Sequence, residues 1–410
     1  MEGVHEGERG LLRRAGLTRW RLQGRQGQRR PRGHQGTPPA GVARVTSGTS
    51  RRLPDFPWDS LADHAAKART HPGGVVDLSI GTPVDPVPEL IRHALGSVAD
   101  EPGYPTTHGT PALREAVVGA LARRHGVTGL DPAAVLPTIG SKELVAWLPT
   151  LLGLGPGDVV AIPALSYPTY EVGARLAGAT PVRLADGEPP PPGTSLVWLN
   201  SPSNPTGRVL SDEQLARAVA DARAVGAVVA SDECYLALAW DAQPVSVLLP
   251  SVNGGSLDGV LAVHSLSKSS SLAGYRAGFV TGDPALVASL LEVRKHAGMI
   301  MPRPVQAAMT AALNDDAHVA EQRERYRARR AVLLPALTAA GFTVDHSEAG
   351  LYLWSTRDGE NAWDTVGWLA ERGILAAPGT FYGPTGDRHV RIALTATDSA
   401  IATATTRLTP

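Results

Sequence analysis

The chain has 410 residues, enough for one large or two ordinary domains with a sizeable core, and 43% of them are hydrophobic. No apolar run reaches the length needed to cross a bilayer, and the single cysteine, Cys234, excludes an internal disulfide framework and a cysteine-rich metal site. The net charge of zero hides an uneven distribution: residues 1–52 hold twelve Arg and three Glu, a net of +9, and the rest of the chain is acidic by the same amount.

The basic segment 1–52, with "RLQGRQGQRRPRGHQG", is rich in Gly, Gln and Arg and lacks an apolar period, so a disordered extension is expected. A nucleic-acid arm is the sharper reading of its charge. Its irregular arginine spacing and the lack of two amphipathic helices for a helix-turn-helix speak against that, and no nucleic-acid partner is expected. It has no apolar core of a secretory signal, and three Glu in the first eight residues are foreign to a transit peptide. The expected location is cytoplasmic, with no membrane partner.

Folded sequence is predicted to start near "LPDFPWDSLADHAAKA", where Asp59 or Ser60 could cap a helix. Short apolar runs then alternate with helical patterns: "VLPTIG" precedes "SKELVAWLPTLL", "DVVAIP" precedes "TYEVGARLAGA", and "SLVWLN" precedes "SDEQLARAVADARAVG". "AVVASDE" and "VLAVHSLS" continue the series, while "DGEPPPPGTS" at 186–195 reads as a surface loop. Strands apolar on both faces, separated by helices, predict an α/β fold with a mostly parallel central sheet. A long charged helix is predicted over 316–341, followed by "LYLWS", a helix around "AWDTVGWLAERG", and "HVRIALT". The expected division is a segment 53–84 joining a smaller domain, a large domain over 85–295, and a smaller α+β domain over 296–410.

Ligands in parallel α/β sheets collect beyond the carboxyl ends of the strands. Four predicted strands end there in unusual polar sequence: "NSPSNPTG", "SDECY", "SLSK" and "GSKE". The last lies at a predicted helix start, where free backbone N–H groups favour an anion. The lysine in "SLSK" is Lys268, one of only four beside 35 arginines. An amine can lose its proton and attack a carbonyl, whereas a guanidinium stays charged, so lysine kept amid so much arginine invites a covalent role. A lysine on a solvated loop is the plainer reading. Arg391, on an otherwise apolar strand, suits bidentate capture of a carboxylate. His264 and Ser265 are adjacent on a strand and point to opposite faces, so they do not form a nucleophilic couple. "GLGPGD" is a turn without the Lys-Ser/Thr of a phosphate loop. Cys234 reads as a small core filler, and the twelve histidines show no metal-ligand spacing, so no metal is expected.

From about residue 53 to the end, with these motifs in order, the chain resembles the class I/II pyridoxal-phosphate-dependent aminotransferases of fold type I. The resemblance implies a large domain plus a smaller α+β domain, pyridoxal 5′-phosphate as cofactor, and amino-acid and 2-oxo-acid substrates. It makes Lys268 the lysine that bonds the cofactor aldehyde and then acts as acid and base. It sets Asp232 against the pyridine nitrogen, where its charge keeps that nitrogen protonated. Tyr235 and Asn204 fall at positions that hydrogen-bond the ring's phenolic oxygen, and Tyr167 at the position that stacks on the ring. Ser265, Arg276, Gly140, Ser141 and Lys142 fall around the phosphate. Tyr104 resembles the tyrosine that reaches the phosphate of a partner subunit, which implies a homodimer with sites completed across the interface. Arg391 takes the substrate α-carboxylate in this reading, with Gly81 beside it.

Within that family the chain looks most like the bacterial succinyldiaminopimelate aminotransferases of lysine biosynthesis, through "LPDFPWDSLA", "DLSIGTPVDPVPELI" and "HSEAGLYLW". The implied reaction joins N-succinyl-LL-2,6-diaminopimelate and 2-oxoglutarate, with Arg303 and Lys142 as candidates for distal recognition. The alternatives are an aspartate, aromatic or alanine aminotransferase, or a carbon–sulfur lyase with the same lysine. A transcription regulator with an aminotransferase-like sensor is a remote one.

Overall fold

A computed structural model describes residues 53–409; the basic segment 1–52, with its expected disorder, lies outside the described residues. The strands, in chain order, are β1 (Val76–Asp77), β2 (Val135–Ile139), β3 (Val159–Pro163), β4 (Thr180–Leu184), β5 (Thr194–Asn200), β6 (Val228–Asp232) and β7 (Val260–Ser265). They continue with β8 (Ala277–Gly282), β9 (Phe342–Asp345), β10 (Tyr352–Arg357), β11 (Ile374–Leu375), β12 (Ala377–Pro378) and β13 (His389–Ala393).

Seven strands form one sheet in the order β2-β8-β7-β6-β5-β3-β4. All neighbouring pairs are parallel except those of β8, which runs antiparallel to both β2 and β7. The expected mostly parallel sheet is therefore present, with one reversed strand that a reading of alternating strands and helices did not contain. Apart from the edge strand β4, whose residues are exposed or half-buried, its strands are buried on both faces because helices cover both. Val197, Val229 and Ala262 point into a core shared with the helices Pro111–His125, Asp212–Ala224 and Arg303–Asn314. Their neighbours Trp198, Ala230 and Val263 point the other way, against the helices Ser141–Leu151, Thr169–Ala177 and Pro284–His296. This alternation follows from the two-residue period of a strand.

A second sheet, β12-β13-β10-β9, is antiparallel, and β1 pairs with β11 beside it. Its core joins Leu61, Val76 and Leu78 to Leu333, Leu353, Leu369, Ile392 and Leu408, so the segment after residue 53 packs with the C-terminal part of the chain. The expected division at 295/296 does not match the packing. Met301, Val305, Met309 and Leu313 belong to the core of the large sheet, and the chain crosses over along the helix Ala317–Ala339. A second correction concerns the first helix, Ala62–Arg69, which carries no side-chain cap; a 3₁₀ turn, Pro57–Leu61, leads into it and Ser60 Oγ donates instead to the Pro57 carbonyl.

The helices Ser141–Leu151 and Thr169–Ala177 approach closely at Gly173. A Cβ there would lie 2.7 Å from the Val145 carbonyl oxygen and 3.1 Å from that of Ala146. Alanine in place of glycine inside a helix ordinarily stabilises by roughly 0.5–1 kcal/mol. Here the methyl meets fixed backbone, and overpacking of this kind costs about 1–3 kcal/mol. Gly173→Ala is therefore expected to lower the free energy of unfolding, seen as an earlier urea midpoint at unchanged slope.

Candidate active site

Strand register brings the chemically distinctive residues to one edge of the large sheet. Asn200, the last residue of β5, pairs with Asp232, the last of β6, and Ser265, the last of β7, pairs with Gly278 of β8. β2 ends beside them, and Gly140 follows it with φ of +77°, turning the chain into the helix Ser141–Leu151. Glycine favours this left-handed region because it has no Cβ.

Three ionisable groups at or beside this edge, Asp232 and Arg391 buried and Lys268 half-buried, have no counter-ion among the described residues. The first is Asp232. Its carboxylate accepts from Tyr170 Oη at 2.8 Å and from the Cys234 backbone N–H at 3.2 Å, and burial raises its pKa despite both. The second is Lys268, whose Nζ donates to the Gly81 carbonyl oxygen. Burial lowers the pKa of this amine; nearby Tyr352 and Cys234 oppose the shift, and the Arg391 and Arg276 guanidiniums add to it. The third is Arg391, on β13 and 3% exposed. Its Nη1 donates to Asn204 Oδ1 at 2.9 Å and its Nη2 to the Ser79 carbonyl at 2.7 Å, while Nε is buried with no partner. The guanidinium lies 3.9 Å from the centre of the Tyr352 ring and 4.8 Å from that of Tyr382. A buried charge left without a partner is costly, so such groups persist where a ligand supplies the missing one.

The surroundings have the form of an anion cradle as well. A Cβ on Gly140 would lie 2.3 Å from Arg276 Nη2, so the guanidinium fills the space a side chain would take. Arg276 itself has φ of +56° and donates from Nη1 to the Ala273 carbonyl at 2.8 Å. Glu143 accepts from the Ile139 N–H at 3.1 Å and holds the buried Arg294 through two bonds of 2.8 and 3.0 Å, which fixes the turn into the helix. Pyridoxal phosphate fits this donor set. The unpaired carboxylate of Asp232 suits its protonated ring nitrogen, the amine of Lys268 its aldehyde, and the helix start at Gly140–Ser141 with Arg276 its phosphate.

Other expected residues take varied places. Asn204 sits between Arg391 and Asn200, whose Oδ1 accepts from its backbone N–H at 2.7 Å. Tyr235 Oη lies 3.1 Å from Tyr352 Oη. Tyr167 packs edge-on against Tyr170, and burial raises its pKa to about 12. Ser265 Oγ accepts from the Ser267 N–H at 3.1 Å. Gly81 serves through its carbonyl on Lys268, and a Cβ on it would lie 2.2 Å from the Tyr352 hydroxyl. Two residues do not join the site within one chain: the Lys142 side chain is exposed, and Tyr104 is 95% exposed. Arg303 pairs with Glu101 at 2.7 Å, near the Tyr104 carbonyl. Sequence reasoning missed Tyr170, Tyr352, Asn200 and Ser79. Only Asn200 carried a local signal, as the first asparagine of "NSPSNPTG".

Neighbours on the opposite face are inert. His264 stacks on Phe279, and burial, aided by His125, holds its pKa near 3, so at neutral pH it forms no ion pair with Glu233 at 3.4 Å. On the site side, the Cys234 thiol is pushed well above its usual pKa by burial and by Asp232, in keeping with a filler.

Residues 73–408 match the family model described as aminotransferase class I and II. The chain belongs to this family. Its cofactor is accordingly pyridoxal 5′-phosphate, and its substrates are amino acids and 2-oxo acids. The chain is 60% identical to a probable aminotransferase of Mycobacterium tuberculosis, over all of both chains. It is 59% identical to the 4-dedimethylamino-4-oxo-anhydrotetracycline transaminase of Streptomyces rimosus, over 88% of this chain and 100% of that one. Among solved structures it is similar to a probable N-succinyldiaminopimelate aminotransferase from Thermus thermophilus, with a TM-score of 0.78 and 29% identity, covering 86% of this chain and 99% of that chain.

Gly140 offers a direct probe of the cradle. In Gly140→Ala the methyl must displace the Arg276 guanidinium and also adopt an unfavourable φ. Loss of one charge-assisted hydrogen bond, roughly 1.5–3 kcal/mol, corresponds to cofactor affinity weakened about 10- to 100-fold. Equilibrium dialysis of pyridoxal phosphate, with circular dichroism to show an intact fold, measures this.

Proposed function

We propose that this aminotransferase takes its amino group from N-succinyl-LL-2,6-diaminopimelate and passes it to 2-oxoglutarate. The observation that carries the chemistry is the shared stretch Ser79–Gly81, whose carbonyls hold Arg391 and Lys268 side by side. In this reading Arg391 binds the α-carboxylate of the donor and then of the oxo acid through its planar fork. Tyr352 and Tyr382, on which the guanidinium lies, keep water from it. That fixed carboxylate turns the substrate Cα toward Lys268 Nζ. Burial keeps a larger share of this amine neutral, so Nζ takes the α-proton from the donor and later returns one to Cα of the oxo acid. The bound cofactor carries the amino group between half-reactions and takes up the electron pair released at Cα. Asp232 supplies the negative charge that holds the ring nitrogen protonated, and Tyr170 keeps that carboxylate oriented.

The choice of donor is supported by the likeness to the Thermus thermophilus protein and by the motifs of the first hundred residues. The Streptomyces rimosus relative, named for a tetracycline ketone, makes a bulky oxo compound the second candidate acceptor. We further propose a homodimer in which Tyr104, too exposed to serve its own chain, reaches the phosphate in the partner's site. A mixture of Tyr104→Phe and Lys268→Ala chains would then recover activity that neither has alone.

The donor is tested with purified holoenzyme by following its visible absorption band as single amino acids are added. Bleaching by both N-succinyl-LL-2,6-diaminopimelate and glutamate, and poorly by aspartate or aromatic amino acids, is the expected result. Bleaching by glutamate alone would keep an aminotransferase and sink the donor. Arg391→Leu is expected to raise KM for glutamate at least about tenfold, with the band itself retained.

A further inference from the structure

The long helix Ala317–Ala339 turns a polar face inward. His318, Gln322, Tyr326 and Arg329 are spaced to lie along one side of it, and all four are buried. The hydroxyl of Tyr326 donates to the Lys268 carbonyl at 3.2 Å, and His318 Nε2 lies 2.9 Å from Ser270 Oγ, so this face touches the lysine loop at two points.

Arg329, 3% exposed, makes the most extensive set of bonds. Its Nη1 and Nη2 donate to the two carboxylate oxygens of Asp85 at 2.9 and 2.6 Å, and its Nε to Asp398 Oδ1 at 2.7 Å. Asp85 also accepts from Gln322 Nε2 at 2.8 Å. These two carboxylates lie at the ends of two chain segments that enclose Arg391. Asp85 terminates the stretch from Ser79, whose carbonyls hold Arg391 and Lys268. Asp398 opens the helix Asp398–Leu408, five residues beyond β13. Between these points the segments run together: Ala393 N–H donates to the Leu78 carbonyl at 2.8 Å and Thr395 Oγ1 to that of Ile80 at 3.2 Å.

We infer that Arg329 is a positioning residue for the carboxylate site: by tying Asp85 to Asp398 it holds the Ser79–Gly81 carbonyls against Arg391. It contacts neither substrate nor cofactor. The inference rests on the reading of Arg391 as the carboxylate ligand. Arginine is required because three coplanar N–H groups serve two carboxylates at once, a geometry that a lysine ammonium cannot reproduce.

The test uses full-length protein loaded with pyridoxal phosphate, in the variants Arg329→Met, Arg329→Lys, Asp85→Asn and the Arg329→Met/Asp85→Asn double. Succinate is the non-reacting probe, its Kd read from the cofactor absorption band, with glutamate kinetics and thermal melts alongside. In Arg329→Met and Asp85→Asn the succinate Kd and the glutamate KM are expected to rise about tenfold, while kcat falls less than about threefold. Arg329→Lys should recover part of the loss, and the double variant should be no worse than the poorer single. Folded variants that melt earlier but keep the parent Kd and KM would overturn the inference and leave Arg329 a brace of stability only. If Arg329→Met does not fold, the near-isosteric Asp85→Asn decides by the same readings. Arg391→Leu separates the two levels: if it too binds succinate normally, the reading of Arg391 fails; if it alone binds weakly, only the role of Arg329 does.

Discussion

A protein interior tolerates an ion when an opposite charge or a full set of hydrogen bonds accompanies it, and the price otherwise is several kcal/mol. The two classes stand close together in this molecule. Arg294 and Arg329 are both buried, at 0% and 3% exposure, and each is met by a carboxylate at hydrogen-bond distance. Asp232, Lys268 and Arg391 are met by hydroxyls, amides and carbonyl oxygens alone. Neutral dipoles orient these three groups but do not cancel their charge or suppress their chemistry. In the proposed reading the missing partners come from the ligands: a cation opposite Asp232, an electrophilic carbon at Lys268 and a carboxylate at Arg391.

The fold makes this arrangement affordable by spreading it over separate supports. Asp232 ends a central strand and is stiffened by neighbours on both sides. Lys268 lies in the connection between β7 and the reversed β8, where Tyr326 restrains its backbone from the helix behind. Arg391 belongs to the smaller sheet and reaches Asn204, in the turn that follows β5 of the larger one. A dicarboxylate or amino acid that binds Arg391 therefore touches a junction of two sheets, each with its own hydrophobic core.

Much of this was legible in the chain itself, for identifiable reasons. Parallel strands buried on both faces leave runs such as "SLVWL" and "VLAVH", and polar residues at their carboxyl ends stand out against them. Lys268, Asp232 and Asn204 were visible on that ground, and Arg391 by the contrast of one arginine with an apolar strand. β8, "AGFVTG", was not legible as a reversed strand, because direction leaves no trace in composition. The division after 295 was misplaced for a related cause: the helix Arg303–Asn314 has an apolar stripe that fits either core, and only tertiary packing decides which. Tyr170 and Tyr352 were missed since a tyrosine that orients a carboxylate and one that fills a core present the same letter in the same pattern. Backbone carbonyls, such as those of Ser79 and Gly81, carry no sequence signature.

The turn between β7 and β8 has a bearing on how the molecule comes together during folding. Ser265, Lys268 and Arg276 all lie within one antiparallel hairpin, so their mutual placement needs only contacts close in sequence. The bond from Arg391 to the Ser79 carbonyl spans 312 residues, and that to Asn204 spans 187. Closing loops of such length is entropically slow, and contacts of this range belong to the late part of assembly. A refolding chain would thus acquire the lysine hairpin early and the Arg391 contacts last. Closure of those contacts is then the natural marker that the native topology is complete, whereas the return of helical signal is not.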